Sequence, residues 1–514
     1  MSSLSSRARI GYALGSITTA TYSTVPGLVL MPYLTDELGV AAGLAGLVVF
    51  APKAWDFILN PIAGRISDRS QNPRGRRRPF VLRAGLLLAL VFVVLFLGPT
   101  GPPLAAGLWL LIASLICATV YPFFQVPFIA MSAEITDDYS ERTRLLTWRV
   151  VVFSFAILVA GGTAPMIVEM GNGVSGYRVM AVVMGALIVA GTAGIWFGTR
   201  NVTLTRDEQA GGRLSEHMKI VLRNRDAAML VAANVIQGVA VSMVLSGIVY
   251  VAKHVVQVPG ASSLAFVCFV GPAVVFSPLW QRIGLRLGKK TGFAMASVVM
   301  GVGFMTMMMS RTGDLGALLV PAAILGLGYA GTLIFPLAML ADIAAEDARA
   351  SGVNRIGMIS GLWSGFELLG FALGPALLGL ILGFGGYSET IGGGVTQTDA
   401  AKWAIVIGVS AVPALLVFGS LLPLSKYRLD ARLQLEAKRQ SQAQHTTNAA
   451  VREDAVVVDT ELLTTTNVMN ADVTKDGELI GEASAAAQLA SAQAPTHEGT
   501  TTDPTTTGSL SLPA

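Results

Sequence analysis

Charge is scarce in this 514-residue chain: Asp, Glu, Lys and Arg together make up 13% of the residues, about half of the ~25% in an average soluble domain. Cysteine is scarce too. Cys117 and Cys268 are the two present, and both fall inside apolar stretches, so the sequence predicts neither a disulfide framework nor a metal centre. A phosphate-binding loop of the GxxxxGK[ST] type is absent from the sequence, which argues against ATP-driven chemistry. We therefore expect no cofactor.

Long apolar runs are abundant, and hydrophobic residues make up 53% of the chain. Because a helix needs roughly 20 apolar residues to cross a bilayer, the sequence predicts about twelve transmembrane helices. They lie near 10–33, 42–66, 80–98, 105–131, 145–168, 179–198, 227–251, 262–281, 291–310, 315–341, 356–383 and 403–424. The expected fold class is an all-α, multi-pass membrane protein whose first partner is the lipid bilayer.

Basic residues alternate between the predicted loops. The loop after the second helix carries Arg76, Arg77 and Arg78, whereas 35–41 and 98–104 contain neither Lys nor Arg. Since Lys and Arg mark cytoplasmic loops, this alternation predicts that both termini are cytoplasmic in a protein of the cytoplasmic membrane. The topology also accounts for the net charge of +4, so we expect no nucleic-acid partner.

The chain repeats itself at an offset of 208 residues. Residues of the fourth predicted helix recur in the tenth as Tyr121/Tyr329, Ala130/Ala338, Met131/Met339, Ala133/Ala341, Glu134/Asp342 and Ile135/Ile343. This repeat predicts two six-helix halves, 1–198 and 227–424, joined by a cytoplasmic linker, 199–226. Parallel repeats of this kind place a substrate site between the halves near the bilayer midplane. The polar remainder, 425–514, is predicted to be a mostly disordered cytoplasmic tail.

One carboxylate stands inside the second apolar stretch. Asp56 precedes Asn60 by four residues, and a carboxylate at the centre of a membrane helix costs roughly 2.5 to 3.5 kcal/mol on insertion scales. Intramembrane carboxylates usually face an internal cavity, an ion or a partner. The pattern therefore indicates a transporter.

Three motifs resemble those of a known family, and the resemblance spans about residues 8–424. The motifs are Trp55-Asp56…Asn60-Pro61…Gly64…Asp68-Arg69…Gly75-Arg76-Arg77-Arg78-Pro79-Phe80, Ala133-Glu134-Ile135-Thr136-Asp137-Asp138-Tyr139…Glu141-Arg142-Thr143-Arg144, and Asp342-Ile343…Arg355-Ile356-Gly357-Met358…Gly361-Leu362-Trp363-Ser364. They resemble the glycoside–pentoside–hexuronide:cation symporters, the melibiose-carrier branch of the major facilitator superfamily. The resemblance implies a secondary transporter of a small-molecule sugar or glycoside, not an enzyme, that works by alternating access.

Site residues carried over from that family show departures. Asp56 matches the first of two helix-two carboxylates, but Asn60 stands at the second position and Gln125 at the helix-four carboxylate. The sugar-binding Asp of helix one falls near Ala20, and the Lys of helix eleven falls near Glu367. A lone buried carboxylate is readily protonated, because desolvation disfavours its charged form. We therefore expect coupling through Asp56 or Glu367 to a proton in preference to sodium, with uncoupled facilitation left open.

Each further candidate has a structural alternative. Substrate-binding candidates are Gln125, Arg149, Asn234, Gln237 and Trp363; interhelical hydrogen bonds, snorkelling of Arg149 and aromatic packing of Trp363 are the alternatives. Asp56 could instead pair with Lys53 or Arg149, and Glu367 could hydrogen-bond a neighbouring helix. Conformational gating is predicted for Asp68, Arg76, Arg77, Arg78, Glu134 and Asp342.

Two other functions compete with sugar symport. An exporter or flippase of an amphiphilic or lipid-linked molecule is compatible with the missing sugar-binding Asp and Lys. A non-transporting receptor or scaffold is a third hypothesis, but gating motifs in both predicted halves argue against it. We expect the protein to be a monomer; its substrate, transport direction and stoichiometry cannot be deduced from the sequence.

Overall fold

The fold was analysed in a computed structural model of the chain. The structure describes residues 4–68, 70, 77–136, 138–200, 202, 224–351, 356–392, 396–430 and 432. Arg76, most of the predicted linker and the tail beyond 432 lie outside these residues. The described chain is almost entirely helical; its one β-type pairing is an isolated bridge between Leu38 and Ile391. It belongs to one compact unit, residues 1–433.

Six helices are described in the first half. They are α1 Ser6–Pro32, which continues as a π-helical turn Tyr33–Glu37, then α2 Ala42–Asp68, α3 Arg78–Phe96, α4 Pro103–Ile135, α5 Tyr139–Met170 and α6 Gly173–Thr199. The start of α1 is capped by Ser5, whose hydroxyl accepts a hydrogen bond from the Ala8 N–H, one of the donors that a helix start leaves without an intrahelical partner.

Eight helices are described in the second half. They are α7 Arg225–Tyr250, with a π-helical turn Val251–Val256, α8 Ala261–Val275, α9 Ser277–Leu287, α10 Lys289–Thr306, with a 3₁₀ turn Met307–Thr312, α11 Leu315–Ser351, α12 Ile356–Phe384, α13 Asp399–Val409 and α14 Ala411–Ser425. Asn224 caps α7 by accepting from the N–H groups of Asp226 and Ala227.

Prolines break two of the predicted spans. The span near 262–281 bends by 46° between α8 and α9, with Pro278 in the first turn of α9. The span near 403–424 breaks at Ser410, and Pro413 follows. A proline ring clashes with the carbonyl four residues earlier and removes one hydrogen bond. For Pro413 that carbonyl belongs to Val409, the last residue of α13.

Every predicted span overlaps a described helix. Ten described stretches are long and apolar enough to cross a membrane, and α8 with α9 makes eleven if the bent pair is one span. With 27 residues, α1 also has sufficient length. The protein is therefore a multi-pass membrane protein, while the exact number of twelve crossings stays a prediction. Helix α11 runs to Ser351, ten residues beyond its predicted end. The prediction followed the apolar run, whereas the helix continues into the polar sequence after it.

Helix packing follows the same scheme in both halves. In the first, α1 packs against α5 and α6, α4 packs against α2 and α3, and α3 also packs against α6. In the second, α7 packs against α12 and α14, α11 packs against α8 and α10, and α10 also packs against α14. Each relation in one half has its counterpart in the other. The internal repeat of the sequence is thus a repeat of helix packing.

Within the described part of the chain, the halves meet mainly through three helix pairs: α2 with α12, α5 with α8, and α1 with α7. The backbones of α2 and α12 approach each other closely, because a Cβ on Gly46 of α2 would lie 2.6 Å from the Pro375 carbonyl oxygen of α12. Ser246 of α7 donates to the Gly27 carbonyl of α1 over 3.2 Å. We name the two ends of the bundle by residues they contain: the Asp36 end, which also holds Lys253, and the Arg77 end.

Candidate functional site

Asp56 is placed by α2 in the interior of the bundle. Its side chain is buried, with 6% of the residue exposed, and its Oδ1 atom has no hydrogen-bond partner among the residues that the structure describes. It lies close enough to Tyr22 of α1 and to Cys117 and Tyr121 of α4 to interact with them electrostatically. Lys53, one turn earlier on α2, is the nearby cation. A buried polar atom without a hydrogen-bond partner costs free energy. Asp56 can recover this free energy by binding a proton, a cation or a ligand hydroxyl.

Aromatic and amide groups surround this carboxylate. The rings of Tyr22 and Tyr121 lie 4.4 Å apart between centroids. Thr19 of α1 donates to Gln125 Oε1 over 2.6 Å. Arg149 of α5 lies 5.5 Å from the Phe128 ring centroid and interacts electrostatically with Tyr121. The structure therefore joins three predicted residues, Asp56, Gln125 and Arg149, in one cluster formed by α1, α2, α4 and α5.

Glu367 occupies a comparable position in the second half. It is half-buried on α12 and interacts electrostatically with Tyr329 of α11, which in turn stacks on Phe269 of α8 at 5.1 Å. Tyr121 and Tyr329 are the two tyrosines related by the sequence repeat. Each predicted coupling carboxylate thus has one of the repeat tyrosines beside it.

Lys53 connects the two halves near these carboxylates. Its Nζ donates to the Phe371 carbonyl of α12 over 3.4 Å and lies 6.0 Å from the Phe371 ring centroid. Lys53 is three residues before Asp56, and Phe371 is four residues after Glu367. Lys53 therefore interacts with Asp56 through its charge, while its ammonium group makes its hydrogen bond to the other half.

The remaining candidates lie apart from this cluster or without a described contact to it. Gln237 is buried, and its Nε2 donates to Ser297 at 2.8 Å and Ser420 at 2.9 Å, which favours the interhelical alternative. Trp363 is buried in an apolar cluster with Leu340, consistent with aromatic packing. Asn60 and Asn234 are half-buried on α2 and α7.

Among the ion pairs that the structure describes at the Arg77 end, one in each half joins two neighbouring helices at positions related by the sequence repeat. Arg77 Nη1 lies 3.1 Å from Glu134 Oε1 between α3 and α4, and Lys289 Nζ lies 2.6 Å from Asp342 Oδ2 between α10 and α11. Arg78 donates to the carbonyls of Arg200 and Val202 near the end of α6. Asp68 is the last residue of α2, whereas Arg76 lies outside the described residues. The ion pairs obey the sequence repeat, since Glu134 and Asp342 correspond.

A dense polar network lies at the Asp36 end and was not predicted from the sequence. Asp36 Oδ2 lies 2.8 Å from Lys253 Nζ and 2.9 Å from His254 Nε2, and Tyr387 donates its hydroxyl proton to Asp36 Oδ1. Burial raises the pKa of Asp36, but the hydrogen bond from His254 and the positive charge of Lys253 outweigh burial and hold it well below its usual range. Burial raises the pKa of the neighbouring Glu37 against the influence of Lys253.

Backbone contacts reinforce this network. The Thr390 N–H donates to the Thr35 carbonyl at 3.0 Å, and the Gly392 N–H donates to the Glu37 carbonyl at 3.1 Å. Asp36 follows α1 in the first half, whereas Lys253, His254 and Tyr387 belong to the second. The halves are therefore fastened together at the Asp36 end.

The whole arrangement defines a class: an all-helical membrane transporter with two repeated halves and buried polar groups on the helices where they meet. Comparison with known proteins agrees. A family model described as "MFS/sugar transport protein" matches residues 11–431. The chain belongs to this family, within the major facilitator superfamily, and its members are membrane transporters, not enzymes. This confirms the family and fold class predicted from the motifs.

Individual relatives cover most of the chain. It is 25% identical to the provisionally named glycoside/cation symporter YagG of Escherichia coli, over 84% of this chain and 94% of that protein. It is 22% identical to the sodium-dependent lysophosphatidylcholine symporter 1-A of Danio rerio, over 82% and 85%. Among solved structures, a bacterial homologue of the human lysosomal transporter Spinster, inward-facing and unoccupied, matches with a TM-score of 0.60 at 16% identity, over 84% and 96%.

Proposed function

We propose that this protein is a proton-coupled symporter of a sugar or glycoside that works by alternating access. The observation that carries the proposal is the environment of Asp56: a buried carboxylate with a partnerless oxygen, beside a tyrosine pair and next to the helix that bears Gln125. Aromatic faces and amide or hydroxyl groups are the polar and apolar partners that small-molecule sites combine. The name of the Escherichia coli relative supports a glycoside as substrate.

The side chains on and around α2 are better suited to binding a proton than to binding sodium. Hard cations are bound by several oxygen ligands with compensating negative charge. Asp56 is instead followed one turn later by an amide, Asn60, and the adjacent helix α4 carries another amide, Gln125. Lys53 adds positive charge within one turn of Asp56. A single carboxylate next to an ammonium group is a poor cage for a cation, whereas one proton neutralises it. We assign proton coupling to Asp56 and Glu367, with Asn60 as a neutral neighbour.

The Arg77 end is proposed to face the cytoplasm. Arg77 and Arg78, which end the arginine-rich sequence after α2, lie at this end, and cytoplasmic loops carry an excess of Lys and Arg. Both termini are then cytoplasmic in a cytoplasmic-membrane protein, with 199–226 as linker and 425–514 as tail. We further propose a monomer that needs no cofactor.

Alternating access would move the substrate past Asp56 and Glu367. Contacts at the Asp36 end support a state closed to the outside, in which substrate reaches the site from the Arg77 end. In the opposite state, the ion pairs Arg77–Glu134 and Lys289–Asp342 would keep α3 with α4 and α10 with α11, so that each half moves as a unit. Asp68, Arg76 and Arg78 are proposed to take part in closing the Arg77 end.

Transport of an amphiphile is the second candidate. The specific observation in its favour is the similarity to a lysophosphatidylcholine symporter over most of both chains. In this candidate, the polar groups around Asp56 would bind the headgroup of the amphiphile.

Uptake by proteoliposomes distinguishes the candidates. Purified protein would be reconstituted with an inward proton gradient and given radiolabelled mono- and disaccharides, or lysophosphatidylcholine, in parallel. The proposal predicts uptake of at least one sugar that collapses with a protonophore and falls in Gln125→Ala. Uptake of lysophosphatidylcholine and of no sugar would contradict sugar transport and support the second candidate.

A further inference from the structure

His254 sits at the junction of three chain segments. It lies in the π-helical turn after α7, with 12% of its side chain exposed. Its Nε2 is 2.9 Å from Asp36 Oδ2 and 2.9 Å from the Tyr387 hydroxyl. The ring stacks against Tyr250 at 6.2 Å, whose hydroxyl is 2.8 Å from that of Thr35. The imidazole therefore touches both halves.

When Asp36, Glu37 and Lys253 are all ionised, the charges of this cluster balance only with a proton on the imidazole. Asp36 and Glu37 bring two negative charges, and Lys253 contacts both carboxylates, at 2.8 and 3.3 Å. With neutral His254 the four groups sum to one negative charge; with protonated His254 they sum to zero. Asp36 is 2% exposed and Glu37 4%, so the uncompensated charge is poorly solvated.

Hydrogen-bond geometry assigns the site of protonation. Asp36 is held ionised by its neighbours, so its Oδ2 can only accept, and Nε2 must carry a hydrogen in neutral and charged imidazole alike. A further proton therefore binds at Nδ1. It turns a hydrogen bond in which only the acceptor, Asp36, is charged into one between an imidazolium and a carboxylate, which adds the attraction of opposite charges.

We propose that His254 is a proton-binding site of the gate at the Asp36 end, and that its protonation locks this end closed. The inference rests on the alternating access of the proposed function. It is separate from the coupling carboxylates, because Asp56 and Glu367 lie deeper in the bundle on α2 and α12. Imidazole is suited to the role, since its charge changes between about pH 5 and 8 when unperturbed.

Other titratable and charged groups around the cluster must be considered in any pH dependence. They are Tyr33 and Glu37 after α1, Tyr177 and Arg178 of α6, Tyr250 and Lys253 of α7 and its π-helical turn, Tyr387 and Glu389 after α12, and the mutual pair Arg311 and Asp399 at the ends of α10 and α13. Burial raises the pKa of Tyr387, and Asp36 raises it further, so this hydroxyl keeps its proton.

Distance measurement between spin labels tests the proposal. Cys117→Ala and Cys268→Ala would remove the native thiols, and Thr100→Cys and Asp314→Cys would place labels on exposed loops of the two halves at the Asp36 end. Double electron–electron resonance in lipid nanodiscs would give the closed and open populations between pH 8 and 5.5. His254→Gln keeps a side-chain N–H donor but cannot be charged. His217→Gln, in the predicted linker, is the matched control.

We expect the closed-to-open ratio of the labelled protein and of its His217→Gln form to rise at least about threefold as the pH falls. The His254→Gln ratio should stay flat, as should that of His254→Asn, which serves if the first variant does not fold. A flat ratio in the unmodified gate, or a rise that persists in both His254 variants, overturns the inference. Sugar-dependent proton movement in the same preparation is scored separately: its absence with an intact pH-dependent ratio overturns the proposed function and not the gate.

Discussion

Tyr121 and Tyr329, 208 residues apart, take equivalent places in the two halves, and each lies beside a buried or half-buried carboxylate. The carboxylate is Asp56 on α2 for Tyr121 and Glu367 on α12 for Tyr329. The two tyrosines lie on α4 and α11, which are equivalent in the packing scheme. The two carboxylates lie on α2 and α12, which are not equivalent, so each half supplies its carboxylate from a different helix of the repeat. The two acids flank the contact between α2 and α12, which Lys53 spans.

Adding a second carboxylate to α2 should change the coupling ion. Asn60→Asp places a carboxylate four residues after Asp56, on the same helix face. We expect sugar uptake by this variant to be stimulated severalfold by sodium relative to choline, because two carboxylates make a better cation cage. Uptake assays at fixed pH measure the effect. Asn234→Asp, which adds the same charge on α7, is the control and should show no stimulation.

Removing the charge of Glu367 should weaken pH dependence without abolishing binding. Glu367→Gln keeps the shape of the side chain but cannot release a proton, so we expect uptake to respond less to an inward proton gradient while sugar exchange at equal pH continues. Proteoliposome exchange and gradient-driven uptake separate the two. Asp314→Asn, on an exposed loop, controls for the loss of one carboxylate. Unchanged gradient response in Glu367→Gln would remove this residue from the coupling site.

The ion pairs Arg77–Glu134 and Lys289–Asp342 should differ in their contribution to stability. The side chains of Arg77 and Glu134 are 1% and 3% exposed, whereas those of Lys289 and Asp342 are 37% and 22% exposed. Losing one partner of a buried pair costs about 3–5 kcal/mol, whereas an exposed pair contributes about 0–1 kcal/mol.

Thermal unfolding in detergent can compare these pairs. Glu134→Gln should lower the melting temperature clearly and Asp342→Asn little, and restoring neutrality with Arg77→Gln should recover part of the first loss. Equal losses for the two single variants would show that burial does not set the strength of these pairs.

Space between α2 and α12 should be essential for closing the Asp36 end. Gly46→Val would press a branched side chain against the Pro375 carbonyl, whereas Gly43, less than one turn earlier, has open space at its Cβ position. We expect Gly46→Val to lose most of its transport and to hold the Asp36 end open, with Gly43→Val close to normal. Reactivity of Thr100→Cys and Asp314→Cys with a short cross-linker would report the separation. Closed-state cross-linking in Gly46→Val would contradict the expectation.

Much of the fold was predictable because membrane crossing imposes length and apolarity on each helix, and the repeat of Glu134 in Asp342 indicated equivalent halves. The helix breaks also had a signal, in Pro278 and Pro413. Local sequence does not specify how a helix is rotated, however. Gln237 could face a substrate or the serines of α10 and α14, and only the packing of α7 shows that it meets Ser297 and Ser420.

The network at the Asp36 end was beyond sequence reasoning, since Asp36, His254 and Tyr387 come from three distant segments. A weak signal existed: the acidic pair Asp36 and Glu37, and the basic pair Lys253 and His254, each end a predicted span in a region otherwise poor in charge. Charge complementarity between such pairs could have suggested contact. Their convergence depends on the register of α1 against α7, which the two separate patterns do not contain.

The central claim is tested most directly by following external pH in lightly buffered, de-energised vesicles while sugars are added. The account predicts that a transported sugar makes the medium alkaline as protons enter with it, and that Asp56→Asn abolishes this change while Asp314→Asn preserves it. Sugar entry with no pH change, or alkalinisation that survives in Asp56→Asn, would contradict proton coupling through this carboxylate.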